Sequence, residues 1–306
     1  MADHQKTRLR PLWKRAVIWL VQMPWLNVPL VTVLKALGWP KWRERLPVVR
    51  GVGQIALSNK QEITLLNPVR CNVAREIWWN DGQLSSGADR NALDLALALS
   101  QDAKQFLDVG SYTGLFALSV AKSNPTIQCH AFEIIPENFS LLTENIIRND
   151  LIQNITTHLH GVSDTSTTMQ SPIAFEAGLL PSSASLGSNY DHGITVPVDR
   201  LDTLVPTDLG KTVIKIDVEG FEGHVLKGAE GLITSCKPDI ICEFLTNAPD
   251  IPAIQHFLSN FGYRFLRITE NGLQLGTTIT PIKTERDWLL TVRTDAELAD
   301  LGWPVS

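Results

Sequence analysis

From residue 85 onwards, short apolar runs alternate with segments whose apolar residues have helical spacing, such as TGLFALSVAKS (113–123). The runs expected to form strands are KQFLDVG (104–110), IQCHAFE (127–133), NITTHLH (154–160), TVIKIDVEG (212–220) and PDIICEFL (238–245), with further strands near 263–268 and 286–292. Strands that alternate with helices form a parallel sheet covered by helices on both faces. The sequence therefore predicts an α/β fold with a doubly wound, mostly parallel sheet.

The charge of the chain is divided unevenly. The 306 residues contain 27 Lys and Arg and 32 Asp and Glu, which gives a formal net charge of −5. Residues 1–50 hold ten Lys or Arg and two acids, a balance of +8, so the rest of the chain has a balance of −13. Because phosphate contacts need a basic surface, we do not expect this acidic body to bind nucleic acid. With 44% hydrophobic residues it can bury a sizeable core.

The basic N-terminal part, residues 1–46, is expected to be a Trp-rich helical extension. Residues 16–34 carry no charge and approach the ~18–20 residues of a membrane-spanning helix, but Pro24 and Pro29 interrupt them. No small-residue cleavage site follows, which disfavours a secretory signal. Three interpretations stay open: a helix packed on the main domain, a segment lying in a membrane interface, and a spanning helix.

The rest of the chain is expected to form two regions. Residues 47–84 are expected to be a β-rich lead-in with a turn at Ser58-Asn59, and residues 85–306 the main α/β domain. The four cysteines show no CxxC pairing and no His at ligand spacing, so neither a structural metal site nor a disulfide framework is expected. A reducing cytosol is the simplest compartment for such a chain.

A glycine-containing turn is expected directly after the first predicted strand, in the run from Asp108 to Gly114. Gly110 allows the chain to turn tightly, and Gly114 allows the following helix to approach with its free N–H groups near a polar ligand. The spacing is GxxxG and not the GxGxxG of dinucleotide-binding proteins, which disfavours a pyrophosphate site of that kind. A tight strand-to-helix corner without a ligand is the alternative.

Polar residues also end the next two predicted strands. Glu133 ends the second, where a carboxylate can accept hydrogen bonds from both ribose hydroxyls of a nucleoside, and a helix-capping role is its alternative. Ser163 and Asp164 follow the third strand and could reach an adenine edge. Taken alone, an ordinary turn is the simpler explanation of these two residues.

Four carboxylates are grouped at the ends of the later strands: Asp217, Glu219, Glu222 and Glu243. They would repel one another unless a cationic or hydrogen-bonding partner lay among them. A sulfonium cofactor, a metal ion or a sugar would serve, and Lys215 is expected on the same side as a counter-ion. A salt-bridged helix start is the alternative, which explains Glu222 well but not an acid that ends a strand.

Taken together, these segments resemble the FkbM family of S-adenosylmethionine-dependent methyltransferases over roughly residues 75–292. The segments that carry the resemblance are LDVGSYTGLFALSVA, AFEIIPENFSLLTENI, VPVDRLDTL, IKIDVEGFEGHVLKGAEGLI and PDIICEF. The resemblance implies a class I methyltransferase fold, Rossmann-like, with a seven-stranded sheet and one antiparallel strand near the end. It also implies O-methylation of a hydroxyl on a sugar, a glycolipid or a secondary metabolite.

The resemblance further implies a cofactor site for S-adenosyl-L-methionine. Six residues match it: Asp108, Gly110 and Gly114 at the methionine side, Glu133 at the ribose, and Ser163 and Asp164 at the adenine. Tyr112 is also expected in the cofactor site. The chain departs from the family at Ser111-Tyr112, where Ala-Asn is usual. Because a phenol cannot replace an amide that both donates and accepts, contacts to the cofactor carboxylate are expected to be rebuilt or weakened.

Catalysis is expected to use the acidic residues beside the transferred methyl group. An alcohol must lose its proton during methyl transfer, so we expect Asp217 or Glu219 to act as the base and Glu243 to orient the acceptor. His224 is the rival base, but a surface histidine is its simpler interpretation. A divalent metal held by the acids is a second hypothesis. Residues 165–193 are expected to form an acceptor-binding lid, for which a merely mobile loop is the alternative.

Two other functions stay open as alternatives. One is a catalytically weak, methyltransferase-like binding module at a membrane, with Tyr112 as the reason for lost activity. The other is an NAD(P)-dependent oxidoreductase, against which the missing GxGxxG argues. We expect a cytoplasmic enzyme that acts on a small-molecule or glycan- or lipid-linked acceptor. Residues 1–46 are expected to hold it at a membrane as an accessory element.

Overall fold

We describe the protein from a computed structural model, which describes residues 17, 19–38, 46–172, 180–181, 193–208, 210–246, 248 and 250–306. The helices include α1 (Pro24–Ala36), α2 (Asn72–Trp79), α3 (Gly87–Leu99), α4 (Leu115–Ser123), α5 (Pro136–Arg148), α6 (Leu201–Leu204), α7 (Glu222–Gly228), α8 (Glu230–Ser235), α9 (Ile251–Ser259) and α10 (Asp295–Asp300). Their starts follow local rules: Pro136 opens α5, and the Ser86 hydroxyl accepts the Asp89 N–H at the start of α3.

Within the described residues, the strands form three separate sheets. The strands are β1 (Gly53–Ala56), β2 (Glu62–Leu65), β3 (Gln105–Val109), β4 (Gln128–Glu133), β5 (Ile155–Leu159), β6 (Gly161–Val162), β7 (Thr167–Ser171), β8 (Ile194–Asp199), β9 (Thr212–Ile216), β10 (Asp239–Glu243), β11 (Arg264–Thr269), β12 (Gly272–Gly276) and β13 (Asp287–Thr291). The large sheet has the order β12-β11-β13-β10-β9-β3-β4-β5, beside a β1-β2 hairpin and a β6-β8-β7 sheet. This arrangement confirms the predicted α/β class and its mostly parallel sheet.

The sheet has eight strands and not the seven that the family resemblance implies. Strands β10, β9, β3, β4 and β5 are parallel, whereas β13 runs antiparallel to both β10 and β11. The extra strand is β12, which pairs with β11 through a tight hairpin around Asn271 and Gly272. Gly272 has a φ of +116°, a conformation that glycine adopts without a steric penalty.

The order of the central strands creates a crevice. The chain moves outwards from β3 through β4 to β5 and then returns to β9 on the other side of β3. The loops after β3 and β9 therefore leave in opposite directions, and ligands of such sheets bind at this switch point. Gly110 and Asp217, which follow β3 and β9, lie at that point.

Side chains of the central strands alternate between two buried layers. In β9, Val213 packs with α3, α4 and α5, whereas Ile214 and Ile216 pack with α7, α8 and α9. All five residues of β9 are buried, as expected for a parallel strand covered on both faces. The carboxyl edge of the sheet is therefore the part of these strands that remains accessible to a ligand.

The N-terminal helix α1 packs on the lead-in with a buried polar residue at the contact. The Asn27 side chain is fully buried, donates to the Pro47 carbonyl at 2.8 Å and accepts the Val49 N–H at 3.0 Å. The lead-in contains the turn at Ser58-Asn59 and the β1-β2 hairpin, and α2 adds a helix that the β-rich prediction lacks. Among the described residues, no helix combines the length and the apolar content needed to cross a membrane.

Candidate active site

Two adjoining cavities lie at the carboxyl edge of the sheet. The Glu133 cavity, of about 310 Å³, is lined by groups that include Gly110, Tyr112 and Glu133. The Asp89 cavity, of about 670 Å³, is lined by seven carboxylates and three cationic side chains, Asp89 among them. The two cavities share a wall formed by Val73, Asp217, Glu243 and Arg286. A group bound in one cavity would therefore meet a group bound in the other at these carboxylates.

The turn after β3 sets the floor of the Glu133 cavity. Gly110 has a φ of +84°, and its N–H donates to the Phe132 carbonyl at 3.0 Å. A Cβ placed on Gly110 would lie 1.9 Å from the Asp217 carbonyl oxygen. The Asp217 N–H in turn donates to the Val109 carbonyl at 2.9 Å. Glycine is required here because two strand-ending loops touch through their backbones.

Tyr112 forms part of the cavity wall in a strained conformation. Its φ is +51°, which costs a non-glycine residue about 1–2 kcal/mol. Its hydroxyl lies 3.4 Å from the Asn72 N–H, and burial raises the pKa of this phenol. The side chain thus bridges the turn after β3 to the start of α2. At the position of Tyr112, the family resemblance implies a shorter amide side chain.

Glu133 also lines this cavity and is almost fully buried, with 6% of its surface exposed. Its Oε1 accepts the Ile135 N–H at 2.8 Å. Burial raises the pKa of Glu133 to about 7, although hydrogen bonds from the Ile135 and Tyr112 N–H groups favour the charged form. Phe132, a neighbour on the same strand, supplies apolar surface beside it.

Asn138 and His160 line this cavity but were missed by the sequence reasoning. Asn138, on α5, is 1% exposed; its amide nitrogen donates to the Pro181 carbonyl at 2.8 Å, and its Oδ1 has no hydrogen-bond partner among the described residues. His160 also lines this cavity and lies 2.9 Å from the Asp199 carboxylate. The only signal for Asn138 was its place near the helix start after Glu133.

The shared wall holds a coupled pair of carboxylates. Glu243, which ends β10, lies 2.6 Å from the Arg286 guanidinium and is hydrogen-bonded to Asp217. Burial and the neighbouring Asp217 carboxylate raise the pKa of Glu243. Asp217 and Glu243 thus form a hydrogen-bonded carboxyl pair in the wall that the two cavities share. Arg286 could not be read from the sequence as a site residue, because only the β10-β13 pairing brings it here.

Lys215 is the buried cation beneath this pair. Its amine donates to Asp287 at 2.9 Å and lies 4.0 Å from Asp217. Burial works against its charge, but the carboxylates around it, first Asp287 and then Asp217, outweigh that effect and raise the pKa of the amine. The predicted counter-ion therefore lies where expected, with Asp287 as its main partner.

Glu219 lines the Glu133 cavity beside Asp217. It has a φ of +53°, so two non-glycine residues of this cavity, Glu219 and Tyr112, adopt left-handed backbone. Burial, and then the Asp217 carboxylate, raise the pKa of Glu219. Backbone strain of this kind concentrates at functional sites because the surrounding structure must hold it in place.

Four of the predicted cofactor residues lie outside the cavity lining. Asp108 is buried beneath α4, where its carboxylate accepts the Ala117 N–H at 3.0 Å and burial raises its pKa to about 7. A Cβ on Gly114 would lie 2.6 Å from Leu142, so this glycine allows α4 to approach α5. Both residues position the turn that carries Gly110, and their contact with a cofactor stays a prediction.

Ser163 and Asp164 lie against α7 and not on the cavity wall. The Asp164 carboxylate is 3.0 Å from His224 Nδ1 and accepts the Ser163 hydroxyl at 3.1 Å. His224 is stacked on Phe221, with ring centroids 4.1 Å apart. His224 is thus a paired histidine outside both cavities, and the adenine contact of Ser163 and Asp164 stays a prediction.

Two predictions remain, one for the carboxylate of Glu222 and one for the lid expected in residues 165–193. Glu222 is buried and accepts the Gly220 N–H at 2.8 Å, as the helix-start interpretation expects. Most of residues 165–193, including His192, lie outside the described residues, but β7 occupies part of this segment. Among the described residues, no group of three or more His, Cys, Asp or Glu is arranged to hold a metal ion.

Comparisons with known proteins find one matching family model and several similar solved structures. The sequence model of the family described as "Methyltransferase FkbM domain" matches residues 108–265. Among solved structures, methyltransferase FkbM from Methylobacillus flagellatus KT is similar at 16% identity, with a TM-score of 0.44 over 62% of this chain and 44% of that one. This chain therefore spans less than half of that protein's length.

Two other solved structures are similar at comparable distance. Precorrin-6y C5,15-methyltransferase from Geobacter metallireducens GS-15 has 12% identity and a TM-score of 0.38, over 66% of this chain and 87% of that one. A putative O-methyltransferase from Klebsiella pneumoniae has 16% identity and a TM-score of 0.37, over 68% and 80%. No curated protein matches this chain.

Proposed function

The chain belongs to the FkbM methyltransferase family, and we propose that it is an S-adenosylmethionine-dependent O-methyltransferase. The observation that carries the proposal is the shared wall, where the Asp217 and Glu243 carboxylates separate the two adjoining cavities. A cofactor in the Glu133 cavity and an acceptor in the Asp89 cavity would meet at this wall. Positioning of this kind supplies much of the rate of a group transfer.

The residues of the Glu133 cavity fit an adenosyl cofactor. Glu133 is a buried carboxylate that can accept hydrogen bonds from ribose hydroxyls, as acids at this strand end do in related folds. The free Asn138 Oδ1 is an acceptor suited to an amino or hydroxyl group, and Phe132 and Val162 offer apolar surface for a base. The carboxylates of the shared wall suit a sulfonium charge nearby.

When bound, S-adenosylmethionine supplies a methyl group activated by its sulfonium sulfur. Transfer of that methyl group to the acceptor hydroxyl would leave S-adenosylhomocysteine, and Asp217 would take the hydroxyl proton. Glu243, held by Arg286 at 2.6 Å, would orient the acceptor, and it shares a hydrogen bond with Asp217. A general base placed in this way contributes about 10²–10⁴ in rate.

The Asp89 cavity favours a polar, hydroxyl-rich acceptor. Its many carboxylates can each accept hydrogen bonds from hydroxyl groups, while Lys283 and Arg286 add cationic donors. A sugar or a glycolipid headgroup has the required density of hydroxyls.

The four cysteines, all within the described residues, are free thiols, and we place the enzyme in the cytosol on that basis.

The cofactor is tested by thermal unfolding of the purified protein with S-adenosylhomocysteine, with NAD or with neither. We expect a rise in Tm with the homocysteine compound alone, because occupancy of a native site stabilises the fold. A rise with NAD alone would favour the oxidoreductase. No rise with either compound would favour the binding module.

The reaction is tested with S-adenosylmethionine that carries a tritium-labelled methyl group, incubated with sugar and glycolipid extracts. We expect enzyme-dependent label in a product that survives mild alkali, because a methyl ether is stable where a methyl ester releases methanol. Label released by alkali would show a carboxylate acceptor and contradict the hydroxyl assignment. A chelator that leaves the transfer unchanged would dispose of the metal hypothesis.

A further inference from the structure

Helix α1 presents an apolar face that the rest of the described structure does not cover. Trp25, Pro29, Val33 and Leu37 recur at four-residue spacing, which places them along one side of a helix. Their exposure is high, with 72% for Trp25, 55% for Val33 and 64% for Leu37. Trp19, just before the helix, is 63% exposed.

This exposure is concentrated in one part of the molecule. Of the eleven large apolar side chains that are exposed among the described residues, six lie within residues 17–37. The other five are spread between Ile147 and Ile282. Single exposed apolar residues are ordinary, but a contiguous patch marks an interaction site.

The opposite face of α1 is firmly attached to the domain. Asn27 and Val31 are buried, and the Lys35 amine donates to the Trp78 carbonyl at 2.6 Å and pairs with Asp81 at 2.8 Å. Lys35 is the single charged residue of α1, so its charge is directed to the domain and away from the apolar face. The helix thus has a fixed orientation in which the apolar face points outwards.

The charge of the surrounding sequence identifies the occupant. Residues 1–50 contain ten Lys or Arg against two acids, while the rest of the chain is acidic. A second copy docked through the same face would bring two basic segments of like charge together, whereas an anionic lipid surface matches both the apolar face and the positive charge. Trp side chains at headgroup level beside Lys and Arg are typical of helices that lie in a membrane interface.

We propose that the Trp25–Leu37 face of α1 docks the protein on an anionic lipid surface, with the helix lying in the interface. Helix α2 connects this surface to the site. Its Trp78 and Trp79 end packs near α1, and its Asn72 and Val73 end lines the Glu133 cavity. Eight helical residues span about 12 Å, so a lipid-linked acceptor would reach the site over a short distance.

The test is sedimentation of the full chain with vesicles of phosphatidylcholine alone or of phosphatidylcholine mixed with phosphatidylglycerol. We expect binding to the anionic vesicles that weakens as salt is raised. The Trp25→Ser/Val33→Ser variant should lose about tenfold or more in partitioning. Ile147→Ser/Ile152→Ser is the matched control, because these side chains are 54% and 61% exposed elsewhere, and it should bind like the unchanged protein.

Three results would overturn the proposal. They are no vesicle binding by the unchanged protein, equal binding to neutral and anionic vesicles, and equal binding by the α1 variant. Self-association that the α1 variant abolishes, without vesicle binding, would assign the face to a second copy instead. Retained S-adenosylhomocysteine binding shows that a variant is folded, and vesicle binding does not depend on the reaction, so this test can fail while the proposed function stands.

Discussion

Glu133 and Glu243 both end parallel strands at the same edge of one sheet, yet their surroundings differ. Glu133 accepts hydrogen bonds from backbone N–H groups inside the smaller cavity. Glu243 pairs with Arg286 and shares a hydrogen bond with Asp217 at the wall of both cavities. The topology brings an acid to each strand end, but the neighbouring residues determine what that acid can do. Glu133 suits binding, and the Glu243 pair suits proton transfer.

The largest effect is expected for Asp217→Asn, which tests whether the Asp217–Glu243 pair takes the acceptor's proton. We expect turnover to fall by about 10²–10⁴, because an amide cannot take the acceptor's proton. S-Adenosylhomocysteine affinity should change by no more than about threefold, because Asp217 lies in the shared wall and not beside Glu133, where the ribose is proposed to bind. Methyl-label transfer and calorimetry provide the two readouts.

Glu219→Gln is the control for that variant. It alters the other carboxylate that follows β9, so a larger loss of turnover in Glu219→Gln would move the base to Glu219. Full turnover in both variants, with cofactor binding retained, would remove the base assignment altogether.

The contact between the loops after β3 and β9 can be broken by Gly110→Ala. A Cβ there would meet the Asp217 carbonyl at 1.9 Å, so we expect the free energy of unfolding to fall by about 3 kcal/mol or more. Gly210→Ala is a matched control, because Gly210 has a similar φ of +94° but open space around its Cβ position. Its loss should be about 1–2 kcal/mol. Equal losses in chemical denaturation would contradict the close approach.

A smaller effect concerns the buried acid beneath the turn. Burial raises the pKa of Asp108 from 3.8 to about 7, so the folded protein holds this proton more tightly than the unfolded chain does. Its contribution to stability is therefore present below pH 4 and is lost as the pH rises towards 7, by up to about 1.4 kcal/mol per pH unit. Asp108→Asn should flatten this dependence in denaturation series between pH 4 and 7. An unchanged slope would refute the shift.

The sequence predicted the positions that topology determines. The strands ending at Glu133 and Glu243 and the turn at Gly110 were found because apolar runs and glycines mark them locally. The approach of Arg286 and Asn138 was not predictable, since each reaches the site through pairing or packing of distant segments. The β11-β12 hairpin did leave a local signal, the Asn271-Gly272 pair, which is typical of tight hairpins.

Tyr112 is a residue that the sequence marked but whose conformation and contacts it could not predict. The sequence marked it as a departure from the family, but its left-handed backbone and its hydroxyl's approach to Asn72 depend on where α2 lies. His160 ends the run NITTHLH (154–160) that was expected to form a strand, and the structure brings its side chain to the cavity wall. Local rules identify strand ends, while the contacts between them come from the assembled fold.

The most direct test of the division between Glu133 and Glu243 is calorimetric titration of S-adenosylhomocysteine at pH 8, where Glu133 is mostly ionised. The unchanged protein should bind one equivalent, and Glu133→Gln should bind about 10–100-fold more weakly, because hydrogen bonds to a charged group are lost. Glu243→Gln should bind within about threefold of the unchanged protein, because its partners are Arg286 and Asp217. Equal affinities of the two variants, or no binding by the unchanged protein, would contradict the account.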